Sequence, residues 1–164
     1  MKKYKVGMYG GKFMPFHKGH NYCIDVASKE CDIVYVILFY GASDEINIMK
    51  NSNEEYLTVK DRIKHMKKAI KKYDNVKFAT IDCSLLKNED GSENWDAETP
   101  LVLDIVGGRV DAAYSSEPSY GDYFKRAYPN CVHRIVDYKR IKYPISGTKI
   151  RNMKSIKERE KWII

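Results

Sequence analysis

The feature that most constrains the fold of this chain is a nearly continuous apolar run at residues 33–39, Ile-Val-Tyr-Val-Ile-Leu-Phe. Its length suits a β-strand and falls far short of the ~18 apolar residues that a membrane-spanning helix needs. Because successive side chains of a strand point to opposite faces, this strand is apolar on both sides. That pattern is typical of a parallel sheet covered by helices on both faces.

Strand-like and helix-like segments alternate along the whole chain. Strands are predicted at residues 4–9, 33–39, 76–81, 110–114 and 131–136. Helices are predicted at residues 19–29, 58–73 and 99–106, over a stretch ending near 127, and from about 146 to the end. Residues 41–55 are predicted to be irregular, and 82–97 to form a long polar loop. The alternation predicts a single α/β domain over residues 1–164, with a doubly wound, five-stranded parallel sheet whose ligands bind beyond the carboxyl ends of the strands.

The net charge of the chain bears on its partners. The formal value of +7 favours anionic partners, which include nucleotides as well as nucleic acids. Much of this charge lies in the predicted helix 58–73, where apolar residues recur at helical spacing. The lysines are therefore interpreted as the solvated face of an amphipathic helix, and no nucleic acid is expected as a partner.

The cysteines and the N-terminus indicate the compartment. The four cysteines are scattered without a C-x-x-C pair, which predicts buried free thiols and argues against zinc and against a disulfide framework. The basic N-terminus is interrupted by Gly10-Gly11 before any apolar region, so no signal peptide is predicted. The sequence therefore predicts a cytoplasmic protein without a membrane partner.

The first motif that carries chemistry follows the first predicted strand, at residues 10–20. Gly10-Gly11 permits a tight turn and a close approach of the backbone to a ligand. His17 and His20 are three residues apart at a helix start, so both imidazoles can face one side and donate hydrogen bonds to phosphate. The spacing fits neither a P-loop nor the G-x-G-x-x-G fingerprint. A coincidental surface pair stays open, and a zinc pair lacks further ligands at suitable spacing.

The second motif, Ile-Ser-Gly-Thr-Lys-Ile-Arg, occupies residues 145–151. Ser146 suits the N-cap of a helix, Thr148 places a hydroxyl in its first turn, and Arg151 can fork onto phosphate oxygens. Helix N-termini hold anions through free N–H groups and partial positive charge. The two motifs together could grip a triphosphate, although an ordinary capped helix with an exposed arginine stays open for the second.

Four further residues each fit two interpretations. Trp95, in the polar loop, suits either stacking on a flat ring or packing against the core. Ser116 and Glu117 follow a predicted strand and suit either a helix cap or contact with a base and ribose. Arg62, on the basic helix, could reach a phosphate or belong to the solvated face.

These motifs resemble those of the nucleotidyltransferases that carry H-x-G-H and I-S-x-T-x-x-R. Within that class the chain most resembles the adenylyltransferase domain of NadR-type nicotinamide mononucleotide adenylyltransferases. The closer match rests on Gly-Lys-Phe at residues 11–13, Thr-Val-Lys-Asp-Arg at 58–62, Asn-Trp-Asp at 94–96 and Tyr-Ser-Ser-Glu at 114–117. The resemblance covers residues 6–151, nearly the whole chain.

The resemblance implies a Rossmann-like domain that joins ATP to nicotinamide mononucleotide, forming NAD and pyrophosphate. It implies that His17 and His20 bind the ATP phosphates and stabilise the transition state, and that Lys12 neutralises phosphate charge. It implies that Trp95 stacks on the nicotinamide ring and that Arg62 belongs to the same subsite. It places the following residues on ATP, the last of them also catalytic: Gly11, Phe13, Ser116, Glu117, Ile145, Ser146, Thr148 and Arg151. Mg²⁺ is expected to bridge the phosphates, with no metal ligand from the protein.

Several alternatives stay open at this point. One is a related transferase with another acceptor, such as pantetheine phosphate, a flavin precursor or, with CTP, an alcohol phosphate. Others are a nucleotide-binding regulator without turnover and a basic RNA-binding protein. The sequence leaves open a homo-oligomer, the preference between amide and acid mononucleotides, and whether the native protein continues into a kinase domain.

Overall fold

The structure is a computed structural model, and it describes residues 2–50 and 57–164. The strands are β1 (Tyr4–Gly11), β2 (Cys31–Tyr40), β3 (Val76–Asp82), β4 (Ala112–Ser115) and β5 (Val132–Ile135). The α-helices described are α1 (Lys18–Glu30), α2 (Ser43–Lys50), α3 (Val59–Ile70), α4 (Trp95–Val106), α5 (Gly121–Ala127), α6 (Gly147–Arg151) and α7 (Ile156–Glu160). A short 3₁₀ helix, Pro118–Tyr120, precedes α5.

The five strands form one sheet in the order β3-β2-β1-β4-β5, and every pair is parallel. The chain moves outward from β1 through β2 to β3, and then crosses back to place β4 on the other side of β1. The direction of winding therefore reverses between β1 and β4. In open parallel sheets, ligands bind in the crevice at this switch point, beyond the carboxyl ends of the strands.

Helices cover both faces of the sheet, as the apolar run at residues 33–39 predicts. On one face α1 and α3 pack through Ile24 and Met66 against Val34 and Leu38 of β2. On the other face α4 and α5 pack against neighbouring positions of the same strands, Ile37 of β2 among them. The alternating positions of β2 thus contact opposite layers. The predicted Rossmann-like, doubly wound α/β fold is confirmed.

Two predicted helix ends are confirmed by their capping contacts. The Thr58 hydroxyl accepts a hydrogen bond from the Asp61 backbone N–H at 3.1 Å and caps α3. Gly107 ends α4 at φ 82°, a left-handed conformation that glycine adopts without a steric penalty. No described helix is both long enough and apolar enough to cross a bilayer.

The prediction of irregular structure at residues 41–55 is wrong for Ser43–Lys50, which form α2; residues 51–55 lie outside the described part of the chain. The acidic side chains of Asp44 and Glu45 favour the first turn of a helix. The residue that α2 buries is Glu45, at 3% exposure, and its partner is Arg62. The periodicity of apolar residues therefore does not indicate α2, because the helix is buried through an ion pair and not through an apolar face.

Two other boundaries differ from the prediction. The helix α4 begins at Trp95 rather than near Thr99, because the Asn94 side chain accepts a hydrogen bond from the Ala97 backbone N–H and caps it. The helix predicted from about residue 146 to the end is two short helices, α6 and α7. The break lets the C-terminus turn back to α1, where the Lys18 backbone N–H donates to the Trp162 carbonyl at 2.9 Å.

Candidate active site

The two motifs predicted to hold phosphate lie in contact at the carboxyl end of β1. The Arg151 guanidinium donates a hydrogen bond to the carbonyl of Met14, 137 positions away in the chain. A Cβ at Gly147 would lie 2.8 Å from the same carbonyl oxygen, so only glycine permits this approach. Gly19 of the first motif is likewise next to Ile145 of the second. The start of α6 is therefore fixed against the loop that precedes α1.

The two histidines of the first motif cap α1. The Nδ1 atom of His17 accepts a hydrogen bond from the Gly19 backbone N–H at 3.0 Å, and Nδ1 of His20 accepts from the His17 backbone N–H at 3.2 Å. The imidazole rings stack with their centroids 3.6 Å apart. A neutral imidazole that accepts at Nδ1 carries its proton on Nε2. The capping contacts therefore leave each histidine with a donor at Nε2.

Both histidines are neutral at physiological pH. Burial, with a further contribution from the Arg140 charge, lowers the pKa of His17 to about 3. Burial also lowers the pKa of His20 well below its usual value, and the charges of His17 and Arg140 act in the same direction. The aromatic ring of Phe13 packs edge-on against His20 at 4.8 Å between centroids, and Phe13 is itself buried. The pair can therefore stabilise developing negative charge as hydrogen-bond donors rather than as cations.

Lys12 carries a positive charge into the same region. Its Nζ atom lies 2.8 and 2.7 Å from the two carboxylate oxygens of Asp44, and it also pairs with Glu93. Burial alone would lower the pKa of Lys12, but the hydrogen bonds to both carboxylates outweigh that effect and raise it. Lys12 thus connects the end of β1 to α2 and to the loop before α4.

A cavity of about 630 Å³ opens beside Lys12, between α2, α4, α5 and the ends of β1 and β2. Gly11, the last residue of β1, and Lys12 belong to its wall, while His17, His20 and Arg151 lie outside it. The wall is rich in aromatic side chains, and its six rings are those of Phe39, Trp95, Tyr120, Tyr123, Phe124 and Tyr128. Its carboxylates are those of Asp44, Glu93 and Glu98. An aromatic cavity with a few polar groups is the usual form of a small-molecule site.

Trp95 is fixed in this cavity wall. Its indole N–H donates to a Glu93 carboxylate oxygen at 2.7 Å, and its ring meets Tyr120 and Tyr123 edge-to-face at 4.9 and 5.1 Å. The position at the first turn of α4, next to the cavity, is compatible with stacking on a flat ligand. The stacking role itself stays a prediction.

The segment after β4 also reaches the switch point. The Ser116 hydroxyl donates to the carbonyl of Val136 at 2.8 Å. Glu117 precedes the 3₁₀ helix but makes no side-chain cap, and its backbone N–H is bound instead by the Ser115 hydroxyl at 3.2 Å. The Glu117 carboxylate is half exposed and therefore available to a ligand.

Sequence reasoning omitted Arg140 from the site. Its guanidinium donates to the Ile145 carbonyl at 2.9 Å, lies 3.6 Å from the Glu117 carboxylate, and lowers the pKa of both histidines. The loop that presents it is shaped by the Asp137 carboxylate, which accepts three backbone N–H bonds from residues 141–143. The available signal was the stretch Val-Asp-Tyr-Lys-Arg at residues 136–140, directly before the second motif.

In the second motif, Ser146 caps α6 by accepting a hydrogen bond from the Lys149 backbone N–H at 3.1 Å, as predicted. The Thr148 hydroxyl accepts from the Arg151 guanidinium at 3.2 Å. Ile145 is buried, and it contributes its carbonyl to the Arg140 contact rather than a side chain to the surface. Thr148 and Arg151 are thus held side by side.

The position of Arg62 does not fit direct contact with a mononucleotide. The side chain is fully buried and outside the cavity wall. Its donors bind the Lys12 carbonyl at 2.8 Å, the Thr58 carbonyl at 3.4 Å and the carboxylate of Glu45. Glu45 in turn accepts from the Gly41 backbone N–H at 2.7 Å. Arg62 therefore holds the backbone of Lys12 and joins α3 to α2.

The sheet order and the site at its switch point define a nucleotide-binding α/β protein of Rossmann-like topology. A sequence model of the family described as cytidylyltransferase-like matches residues 8–153, which include both motifs. The chain belongs to this family, and the predicted membership of the nucleotidyltransferases is confirmed.

Individual relatives place the chain near two kinds of adenylyltransferase. It is 28% identical over 159 residues to the trifunctional NAD biosynthesis/regulator protein NadR of Escherichia coli, and spans 37% of that protein's length. It is 29% identical over 157 residues to the phosphopantetheine adenylyltransferase of Mycoplasma capricolum, which it covers to 99%. A crystal structure of a NadR protein in complex with NAD and AMP-PNP shares the fold, with a TM-score of 0.68 and 21% identity over 99% of this chain and 46% of that one.

Proposed function

We propose that this chain transfers the adenylyl group of ATP to nicotinamide mononucleotide, forming NAD and releasing pyrophosphate. The observation that carries the proposal is the aromatic cavity that opens directly beside Gly11 and Lys12, at the start of the loop predicted to bind phosphate. A flat acceptor ring in that cavity would have its 5′-phosphate close to Lys12. The relatives among the NadR proteins, and the structure of one with NAD and AMP-PNP, support the same assignment.

In the proposed reaction, a phosphate oxygen of the mononucleotide attacks the α-phosphorus of ATP in line. The new oxygen–phosphorus bond forms as the bond to the bridging oxygen breaks, and pyrophosphate leaves with that electron pair. The attacking phosphate is already ionised, so no general base is needed. Catalysis then consists of alignment and stabilisation of charge on the phosphate oxygens.

The residues at the switch point would divide these tasks. The Nε2–H groups of His17 and His20 would donate to oxygens on which charge develops, and Lys12 would exchange its carboxylate partners for phosphate. Arg151, with Ser146 and Thr148, would hold the β- and γ-phosphates. Mg²⁺ would enter with ATP as part of the substrate and neutralise its phosphates.

The adenosine half would occupy the opposite side of the switch point from the aromatic cavity. Ser116 and the half-exposed Glu117 lie there, after β4, and Arg140 is beside them. The two halves of the product would then meet at the loop between β1 and α1. This arrangement would place the reacting phosphates against the histidines.

A second candidate acceptor is phosphopantetheine, favoured by the similarity to the Mycoplasma enzyme over nearly its whole length. The cavity argues for the mononucleotide instead. Its wall combines six aromatic rings with three carboxylates and one ammonium group, that of Lys12, and the remaining negative charge suits a flat cationic ring. The pantetheine arm is flexible, aliphatic and uncharged, and gains little from such a wall.

The test is incubation of the chain with ATP and Mg²⁺ and, in separate reactions, nicotinamide mononucleotide or phosphopantetheine. Mass spectrometry identifies the adenylylated product, and a coupled assay measures pyrophosphate. The proposal predicts NAD and pyrophosphate in equal amounts. Dephospho-coenzyme A as the sole product would assign the second acceptor, and binding of ATP without pyrophosphate release in either reaction would indicate a regulator.

A further inference from the structure

The cavity wall contains one buried carboxylate that has no ion-pair partner among the described residues; the Lys12 charge acts on it only from a distance. Glu98 lies on α4, three residues after Trp95, so both side chains face the same side of the helix. It is 5% exposed. Among residues 2–50 and 57–164, no lysine, arginine or histidine forms an ion pair with it, and its neighbour is the thiol of Cys83, a weak donor. Burial raises the pKa of Glu98.

The other two carboxylates of the wall are already engaged. Asp44 binds the Lys12 ammonium through both oxygens. Glu93 pairs with Lys12 through one oxygen and accepts the Trp95 indole N–H through the other. Glu98 is therefore the carboxylate of the wall that can accept a hydrogen bond from a ligand without competing with Lys12 or Trp95.

The chemistry that suits this arrangement is a flat cation that also carries an N–H donor. A pyridinium ring gains from the negative faces of the aromatic side chains and from a nearby carboxylate. A carboxamide on the ring adds an –NH₂ group that a carboxylate can accept. A carboxylic acid at the same ring position is ionised, and it would bring a second negative charge against a buried one while leaving the Glu98 oxygens without a donor.

We propose that Glu98 is a specificity-determining residue that accepts a hydrogen bond from the carboxamide of the mononucleotide and excludes the acid form, nicotinic acid mononucleotide. The inference rests on the proposed function, because it assumes that the pyridine ring occupies the aromatic cavity. It assigns the choice of ring substituent to one side chain on α4 and leaves the phosphate chemistry to the loop before α1.

The experiment compares kcat/KM for the amide and the acid mononucleotide with saturating ATP and Mg²⁺. The wild-type chain is expected to prefer the amide by at least about 100-fold, since a site built around one hydrogen-bonding group strongly rejects an analogue that lacks it. Glu98→Gln should reduce that ratio at least about tenfold, because a glutamine can donate to the acid and still accept from the amide. Glu98→Asp keeps the charge and should keep a clear preference for the amide.

The matched control is Glu158→Gln, the same change of charge at an exposed position on α7. It should leave the ratio as in the wild type. Thermal unfolding reports whether each variant is folded. If Glu98→Gln is unfolded, the role of Glu98 is judged from the ratio of kcat/KM for the amide and the acid in the wild type and in Glu98→Asp.

The outcomes separate this inference from the proposed function. Similar kcat/KM for both mononucleotides in the wild type, or an unchanged ratio in a folded Glu98→Gln variant, overturns the role of Glu98 and leaves NAD formation standing. Formation of dephospho-coenzyme A without any dinucleotide overturns the proposed acceptor and this inference together.

Discussion

Acid should destabilise this protein through His17, because the folded chain holds that imidazole in its neutral form. Burial, together with the Arg140 charge, lowers the His17 pKa from 6.5 to about 3. Between these values the unfolded chain binds a proton that the folded chain does not bind. The free energy of unfolding contributed by this group is therefore intact above about pH 6.5 and falls as the pH is lowered below it.

The size of the effect follows from the two pKa values of His17. One pKa unit corresponds to about 1.36 kcal/mol. At about pH 7.5 the imidazole of the unfolded chain is mostly neutral, and at about pH 5.5 its protonated form exceeds its neutral form about tenfold. The imidazole of the folded chain stays neutral at both pH values. The free energy of unfolding should fall by about 1.4 kcal/mol from this group, and by about 2.7 kcal/mol at about pH 4.5.

The assay is urea unfolding of the wild type and of His17→Asn at about pH 7.5 and at about pH 5.5. Asparagine is a good N-cap, so the variant keeps an acceptor at the start of α1 but has no group that titrates there. The wild type should lose about 1.4 kcal/mol more than the variant, or about 0.7 M in midpoint at a slope of about 2 kcal/mol/M. His20 is present in both proteins, so its own titration largely cancels. Equal losses in the two proteins would refute the claim that the fold holds His17 neutral.

Three further outcomes are expected. His20→Ala should lower kcat at least about 100-fold, equivalent to about 3 kcal/mol of transition-state stabilisation, while thermal unfolding shows that the variant is still folded. Near-normal turnover would remove His20 from the mechanism. Trp95→Ala should raise KM for the mononucleotide more than KM for ATP in initial-rate assays, and equal increases would exclude it from the acceptor cavity. Glu45→Gln should cost about 3–5 kcal/mol in urea unfolding, since it leaves the buried Arg62 charge without its carboxylate, and a loss below about 1 kcal/mol would contradict that pairing.

Much of the fold could be predicted because its signals are local or periodic. The run at residues 33–39 is apolar on both faces, and β2 indeed lies between two helical layers. The exception, α2, is held by the ion pair between Glu45 and Arg62. In the sequence these two residues are 17 positions apart and each looks like an ordinary surface charge. Burial of a charged pair depends on tertiary contacts that no local pattern encodes.

The site was predictable only in part for a related reason. The spacing of His17 and His20 predicted rings on one side of a starting helix, and the structure places the rings stacked there. The aromatic wall could not be predicted, because its rings come from β2, α4, α5 and the segments around them. In the sequence each of those tyrosines and phenylalanines has the spacing of a core residue. Glu98 likewise looks like a helix-surface glutamate until the fold encloses it.

The same hydrogen bonds explain both the local structure and the proposed chemistry of the histidine motif. A capping box requires side-chain acceptors at the N-cap and three residues later, which is the spacing of His17 and His20. By accepting at Nδ1, each ring is forced to carry its proton on Nε2, and burial prevents a second protonation. Serine or asparagine would cap α1 equally well but would lack a donor on the far side of a rigid ring. Capping of α1 therefore does not by itself explain why both residues are histidines. The proposed binding of phosphate does explain it, because that role requires two neutral donors at the start of the helix.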